Sequence, residues 1–246
     1  MSADLELALW LADTADAISL RAFRTGLPIE QKPDLTPVTE ADRSVEAELR
    51  RLLGESRPAD AILGEELGTT GSASRRWIID PIDGTKNFVR GIPVWATLLA
   101  VEEGGEVRVG VVSAPALGRR WWAERGEGAF ADGERIHVSL VARIEDAVLS
   151  LAHDREVPEI ARRAWHARGF GDFWAHMLVA EGAVDAAVDP VVNEWDLAAV
   201  KVIVEEAGGR FSDFAGERRI DSGSALTSNG LLHDGLLAAV AEHVRA

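Results

Sequence analysis

The chain has no cysteine and no tyrosine among its 246 residues, and only two methionines. Without cysteine there is no disulfide, no thiolate nucleophile and no cysteine-ligated zinc or iron. The six histidines are scattered and none forms an H-x-x-x-H pair, which removes the common arrangement of zinc hydrolases. Basic residues are scarce as well: 26 Lys and Arg face 41 Asp and Glu, a formal net charge of -15. A field of that sign repels nucleic-acid backbones and anionic lipid surfaces, so neither is an expected partner. No apolar run approaches the roughly 20 residues of a membrane span. The opening Met1-Ser2-Ala3-Asp4-Leu5-Glu6 is acidic and lacks the basic start of a signal peptide, so the cytoplasm is the expected location.

What is present suffices for a full core. Hydrophobic residues make up 47 % of the chain, enough for one large domain or two closely packed halves. Leu5, Ala8, Leu9, Ala12, Ala15 and Ile18 recur at helical spacing and predict an amphipathic helix over 4–24, ended by Gly26 and Pro28. Thr39, with Asp42 three residues on, resembles an acidic capping box opening a second helix whose apolar side carries Val45, Leu49, Leu52 and Leu53. Residues 61–63 predict a short buried strand, 67–75 a polar mobile loop, and 76–79 a second buried strand. Runs over 94–101 and 107–113 flank Gly104-Gly105 as a hairpin, and 121–123 and 129–130 look like further short strands.

From about Ser139 the pattern changes. It predicts a strand at 147–151, helices at 157–167 and 173–182, a strand at 183–188, a helix at 194–207 capped by Gly208-Gly209, and a last helix at 231–245. The order argues for layered α/β (α+β) architecture in two halves, 1–138 and 139–246.

The densest chemistry lies in Trp77-Ile78-Ile79-Asp80-Pro81-Ile82-Asp83-Gly84-Thr85. Pro81 lacks an N–H and is expected to stop the strand at Asp80, so that Asp80 and Asp83 converge with the Ile82 carbonyl between them. Hard divalent cations take oxygen ligands of this kind. Gly84 permits close backbone approach, and Thr85 begins a turn whose N–H groups suit an anion. The same spacing also suits an ordinary solvated Asp-Gly turn. Two further acidic sites bear on the choice. Gly64-Glu65-Glu66 ends the preceding strand, and Glu194-Trp195-Asp196 opens an apolar helix, where Asp196 would also serve as a cap. Four carboxylates in one small space would raise one another's pKa values, and bound cations are the ordinary remedy. Such cations suit phosphoryl transfer, which needs mainly positioning and charge neutralisation.

Together WIIDPIDGTKNF (Trp77 to Phe88), Gly64-Glu65-Glu66 and Trp195-Asp196-Leu197-Ala198-Ala199 resemble the inositol monophosphatase family of Mg²⁺-dependent, lithium-sensitive phosphatases, over nearly the whole chain. The resemblance implies a layered αβαβα sandwich, a homodimer, and two or three Mg²⁺ per site. It implies Glu65, Asp80, the Ile82 carbonyl, Asp83 and Asp196 as metal ligands, Thr85 with Glu65 orienting the attacking water, and the Gly84 and Thr85 N–H groups holding phosphate. Thr39 and the loop around Lys32 match the family's mobile lid.

The expected substrate is a small phosphorylated metabolite. Gly171-Asp172-Phe173 places an acid and a ring where inositol phosphatases carry small residues, and Asp189 precedes Asp196 by seven residues. With Lys32 to Thr39 and Asn87 to Trp95, this segment resembles the actinobacterial histidinol-phosphate phosphatase branch of the family, which acts in histidine biosynthesis. On that resemblance Asp172 and Asp189 would pair with a cationic leaving group, and Trp95 or Phe173 would stack on its ring. Asp172 also suits a helix cap and Trp95 a core position. The alternatives are an inositol-1-phosphatase, a bisphosphate nucleotidase or fructose bisphosphatase, and a non-catalytic metal-binding scaffold.

Overall fold

The computed structural model describes residues 1–26, 28–32, 37–151 and 159–245. Helix α1 (Ala3–Ala22) leads into a hairpin of β1 (Ile29–Gln31) and β2 (Pro37–Thr39), and α2 (Glu40–Ser56) follows at once. Next come β3 (Ala61–Gly64), β4 (Gly68–Thr70), β5 (Arg75–Asp83) and the short helix α3 (Thr85–Val89). Strands β6 (Ala96–Glu103), β7 (Glu106–Ala114), β8 (Arg119–Glu124), β9 (Gly128–Ala131) and β10 (Glu134–Ile136) complete the first half. The second half holds β11 (Val148–Leu151), α4 (Glu159–Arg163), β12 (His166–Arg168), α5 (Asp172–Ala180), β13 (Ala186–Asp189), α6 (Glu194–Glu206), β14 (Arg210–Ser212), β15 (Ala225–Ser228) and α7 (His233–Arg245).

Two sheets organise these elements. One has eight strands in the order β10-β9-β8-β7-β6-β5-β3-β4, the other five in the order β12-β11-β13-β15-β14. Side-chain alternation on the large sheet sorts its two faces. Trp77, Ile79, Leu99 and Val101 pack with Leu11, Leu49 and Leu53 of α1 and α2, whereas Ile78, Leu98 and Ala100 pack with Met177, Leu197 and Val200 of α5 and α6. The small sheet covers the far side of α5 and α6, and α7 closes its outer face through Leu236 and Val240, with Leu232 just before the helix. The result is a layered αβαβα sandwich. One core cluster in the middle helical layer draws residues from both 1–138 and 139–246, while the outer clusters each lie within one of them.

Close approach in that layer depends on one glycine. A Cβ at Gly110 of β7 would lie 2.5 Å from Val202 Cγ1 and 2.7 Å from the Ala199 carbonyl oxygen, so α6 rests directly on the strand backbone.

Several expectations need correction. Pro81 does not stop its strand: β5 runs to Asp83, and Pro81 lies where it skips register against β6. Asp80 pairs with Leu98 and Asp83 with Ala96, so three steps on one strand match two on the other, a one-residue bulge. Proline is tolerated in a sheet at such a point because the ladder asks for no N–H there. The polar loop at 67–75 contains β4, an exposed edge strand paired with β3 and braced by Arg50, which donates to the Gly68 carbonyl and the Thr70 hydroxyl. The helix expected at 157–167 is only α4, followed by strand β12; residues 157 and 158 lie outside the described residues. Strands β10, β14 and β15 had no sequence counterpart. Among the described residues no helix is long and apolar enough to cross a membrane.

Candidate active site

Strands β3 and β5 run parallel with Gly64 opposite Ile79, which sets Glu65 beside Asp80 at the ends of neighbouring strands. The bulge then governs the next acid. Residues three apart on a regular strand face opposite ways, but Asp80 and Asp83 oppose Leu98 and Ala96, which share a face. Both carboxylates therefore turn toward the layer of α6. Helix α6 supplies Asp196 from its first turn, where it completes a capping box by accepting the Asn193 N–H at 2.7 Å. The two readings of Asp196, cap and member of the acidic site, thus hold together. One oxygen from each of Asp80, Asp83 and Asp196 lies within 4.8 Å of the others.

Burial pushes the pKa values of Asp80 and Asp83 well above the usual carboxylate range, and neighbouring acids push further: Glu65, Asp83 and Asp196 on Asp80, Asp172 and Asp196 on Asp83. Asp196 is raised to about 6, again chiefly by burial. Glu65 is half-buried and likewise raised by burial, which the Lys32 ammonium 2.7 Å away opposes. A cluster of hard oxygens that repel one another fits a hard divalent cation, whose charge would relieve the repulsion.

Lys32 also lies 2.5 Å from Glu66, so the residue expected in the lid is in contact with the acidic site. Residues 33–36 of that expected lid lie outside the described residues. Beneath, the buried Glu46 accepts the Glu66 and Leu67 N–H groups at 2.7 and 3.1 Å and pairs with Arg50, fixing the turn that carries Glu65.

Gly84, at φ +82°, turns the chain from β5 into α3. A Cβ there would sit 3.0 Å from the Val94 carbonyl and 3.3 Å from Asp172 Oδ2, so the turn has no room for a side chain. Next to it the Thr85 hydroxyl donates to the Ile82 carbonyl at 3.0 Å and lies 3.4 Å from Asp42 Oδ1. The sequence pattern gives Asp42 only a capping role. Its Oδ2 does cap, accepting from the Thr39 N–H and hydroxyl at 2.8 and 2.6 Å, while its other oxygen faces Thr85. The signal available in the sequence was the acid itself: a cap needs one oxygen, and a buried carboxylate has two to satisfy.

The substrate end divides. Asp172 opens α5 with φ +48°, is exposed, and approaches the Gly84 turn. It does not cap the helix, since Gly171 takes the cap position. Asp189 ends β13, is 8 % exposed, and is raised to about 6 by burial, with Asp172 adding to the shift. Phe173 contributes its backbone, not its ring. Its N–H donates to Asp83 Oδ2 at 2.5 Å, while the ring is 1 % exposed and packs on Trp121. Trp95 is fully buried between Phe23 and Phe88, with ring centroids 5.4 and 5.0 Å away. Ring stacking on a ligand by Phe173 or Trp95 is therefore corrected: both rings stabilise the core under the site.

This geometry can be set beside known proteins. The model of the inositol monophosphatase family matches residues 2–245. The chain belongs to the inositol monophosphatase family. A histidinol-phosphatase of Mycobacterium tuberculosis is 53 % identical, over 95 % of this chain and 96 % of that protein. One from Streptomyces coelicolor is 49 % identical, covering 95 % of each. Among solved structures, a Thermotoga maritima IMPase superposes with a TM-score of 0.92 at 36 % identity, covering 99 % of both chains. Family members are metal-dependent phosphatases, in keeping with the Asp80, Asp83 and Asp196 cluster.

Proposed function

We propose that this inositol monophosphatase family member is a Mg²⁺-dependent phosphate-monoester hydrolase that converts L-histidinol phosphate to L-histidinol and phosphate. The observation that carries the phosphatase reading is the convergence of Asp80, Asp83 and Asp196 within 4.8 Å beside the Gly84-Thr85 turn. Two observations support the substrate. Relatives about half identical over nearly the full length bear the name histidinol-phosphatase, and Asp172 and Asp189 lie near enough for the charge of one to raise the pKa of the other, a pair of acids suited to a cationic leaving group.

Glu65, Asp80, the Ile82 carbonyl, Asp83 and Asp196 would hold two or three Mg²⁺. Bound there, the cations would neutralise phosphate charge and make a water acidic enough to attack. The chain's own groups supply the rest. The Gly84 and Thr85 N–H groups receive phosphate oxygens at the start of α3. Thr85 Oγ1 accepts a hydrogen from the attacking water as its own proton turns to Asp42 Oδ1, and Glu65 orients the same water. Asp172, which is exposed, and Asp189, which is buried, would draw the cationic leaving group into place. The working form proposed is a cytoplasmic homodimer, checked by sedimentation of the pure chain and by cell fractionation.

The test is a panel of histidinol phosphate, inositol phosphate, a 3′,5′-bisphosphate nucleotide and fructose bisphosphate, each with and without Mg²⁺. Histidinol phosphate should lead in kcat/KM. The fold likeness to a Thermotoga maritima IMPase makes inositol phosphate the rival, and its clear lead would overturn the substrate assignment.

A further inference from the structure

We propose that Arg76 is a positioning residue for cation binding: its ion pair with Glu194 ties the first turn of α6, which carries Asp196, to β5, which carries Asp80. The inference deepens the reading of a Mg²⁺ site above and rests on it.

Arg76 stands four residues before Asp80 on β5, and strand alternation puts Arg76, Ile78 and Asp80 on the face that meets α6. Its guanidinium reaches two acids. Nε pairs with Glu102, which lies opposite Arg76 in the ladder on β6, and Nη2 pairs with Glu194 Oε2 at 2.6 Å. The first contact stays within the sheet and fixes the guanidinium there. The second crosses to the helical layer and takes hold of the residue that opens α6, two before Asp196. Arg76, Glu102 and Glu194 are all partly buried, which shields the pairs from salt better than an open surface would.

The first turn of α6 has few other ties to that sheet. The continuous buried run of the helix begins at Leu197, after the half-buried Glu194, Trp195 and Asp196. The capping box joins Asn193 to Asp196, so it shapes the turn but moves with it. The Val192 N–H donates to the Gly223 carbonyl, between β14 and β15, and so leads to the small sheet. Among the described residues, Arg76–Glu194 is the ion pair that joins this turn to the large sheet. Against it works the approach of Asp196 to Asp80 and Asp83 within 4.8 Å, where like charges push turn and strand apart until a cation lies between them. An attraction between the same two elements opposes that push. Because both partners of Arg76 lie outside the cluster, its charge does this without competing for the carboxylates that would hold the metal.

A double-mutant cycle read by calorimetric titration with Mg²⁺ tests this. Arg76→Ala and Glu194→Ala should each raise the Mg²⁺ dissociation constant about three- to fivefold, the scale of a partly exposed ion pair. The double variant should bind no more than about twofold more weakly than either single one, because the two residues act as a unit. At saturating Mg²⁺, kcat on the best ester of the panel above should return to within about twofold of wild type. If Arg76→Ala fails to fold, Arg76→Met keeps the length of the side chain and removes only the charge. Variants that unfold at lower urea yet bind Mg²⁺ as wild type does would make the pair merely structural and overturn the proposal. Losses that multiply in the double variant, or a kcat that stays low at saturating Mg²⁺, overturn it as well. A wild type that binds no Mg²⁺ overturns the metal reading and this inference together.

Discussion

The Thr85 hydroxyl stands 3.4 Å from Asp42 Oδ1, linking the turn after β5 to the first turn of α2. Asp42→Asn should lower kcat by about 10²- to 10⁴-fold, the range for loss of a proton acceptor. Its amide oxygen can still accept from Thr39, so the melting temperature should change little. Thr85→Val should cost a similar factor, and the double variant scarcely more, because residues acting as a unit are not additive. Steady-state kinetics of the three variants checks this, and multiplicative losses would separate the two residues.

Asp83→Asn should remove most of the thermal stabilisation that Mg²⁺ gives the wild type, since binding to the folded form alone raises stability. The metal-free variant should be at least as stable as metal-free wild type, because one of several crowded, repelling acids is gone. Thermal unfolding with and without Mg²⁺ reads both effects. A wild type whose melting point ignores Mg²⁺ would contradict the metal assignment.

Gly110→Ala should destabilise the fold by roughly 1–3 kcal/mol, the usual cost of overpacking, because the new methyl meets the Ala199 carbonyl and Val202. Urea unfolding should show a lower midpoint with an unchanged slope.

His176 is buried against the Thr227 hydroxyl, and burial lowers its pKa from 6.5 to about 4. The unfolded chain therefore takes up this proton first as pH falls. Stability contributed by the neutral ring is complete above pH 6.5 and is lost progressively down to about pH 4. The loss is at most roughly 3 kcal/mol. His233, hydrogen-bonded to Ser212 and Ser228, is lowered to about 4 as well and adds in the same direction. His176→Asn should flatten part of the stability decline between pH 7 and 5, measured by urea unfolding.

The acidic centre was legible because most of its parts are local, two acids, a proline, a glycine and a threonine within one short run, while Glu65 at the end of β3 and Asp196 at the start of an apolar helix stand out as acids beside apolar elements. Asp42 was visible only as a cap, because nothing in the sequence announces that it meets Thr85 across 43 positions. For Trp95 and Phe173 the residue type leaves ligand contact and core packing both open, since a ring suits either, and only burial separates the two. Strand β15 escaped because Leu226 is its one large apolar residue. Its conformation comes from antiparallel pairing to β13 on one side and β14 on the other, which no local pattern encodes. Pro81 misled for a related reason: its preference against a ladder is real, but the bulge meets it without ending the strand.

The bulge in β5 makes that strand one residue too long for its neighbour, and the surplus is polar backbone. Pro81 and Ile82 have no partners in the register, and side chains serve their carbonyls instead: the Thr97 hydroxyl for Pro81, the Thr85 hydroxyl for Ile82. Shortening the strand by one residue would leave two aspartates on a common face and let the ladder close. Such a protein should make a more regular sheet and a poorer catalyst, having given the Ile82 carbonyl back to cross-strand bonding. At this point in the chain, a miscount that improves the scaffold would silence the site.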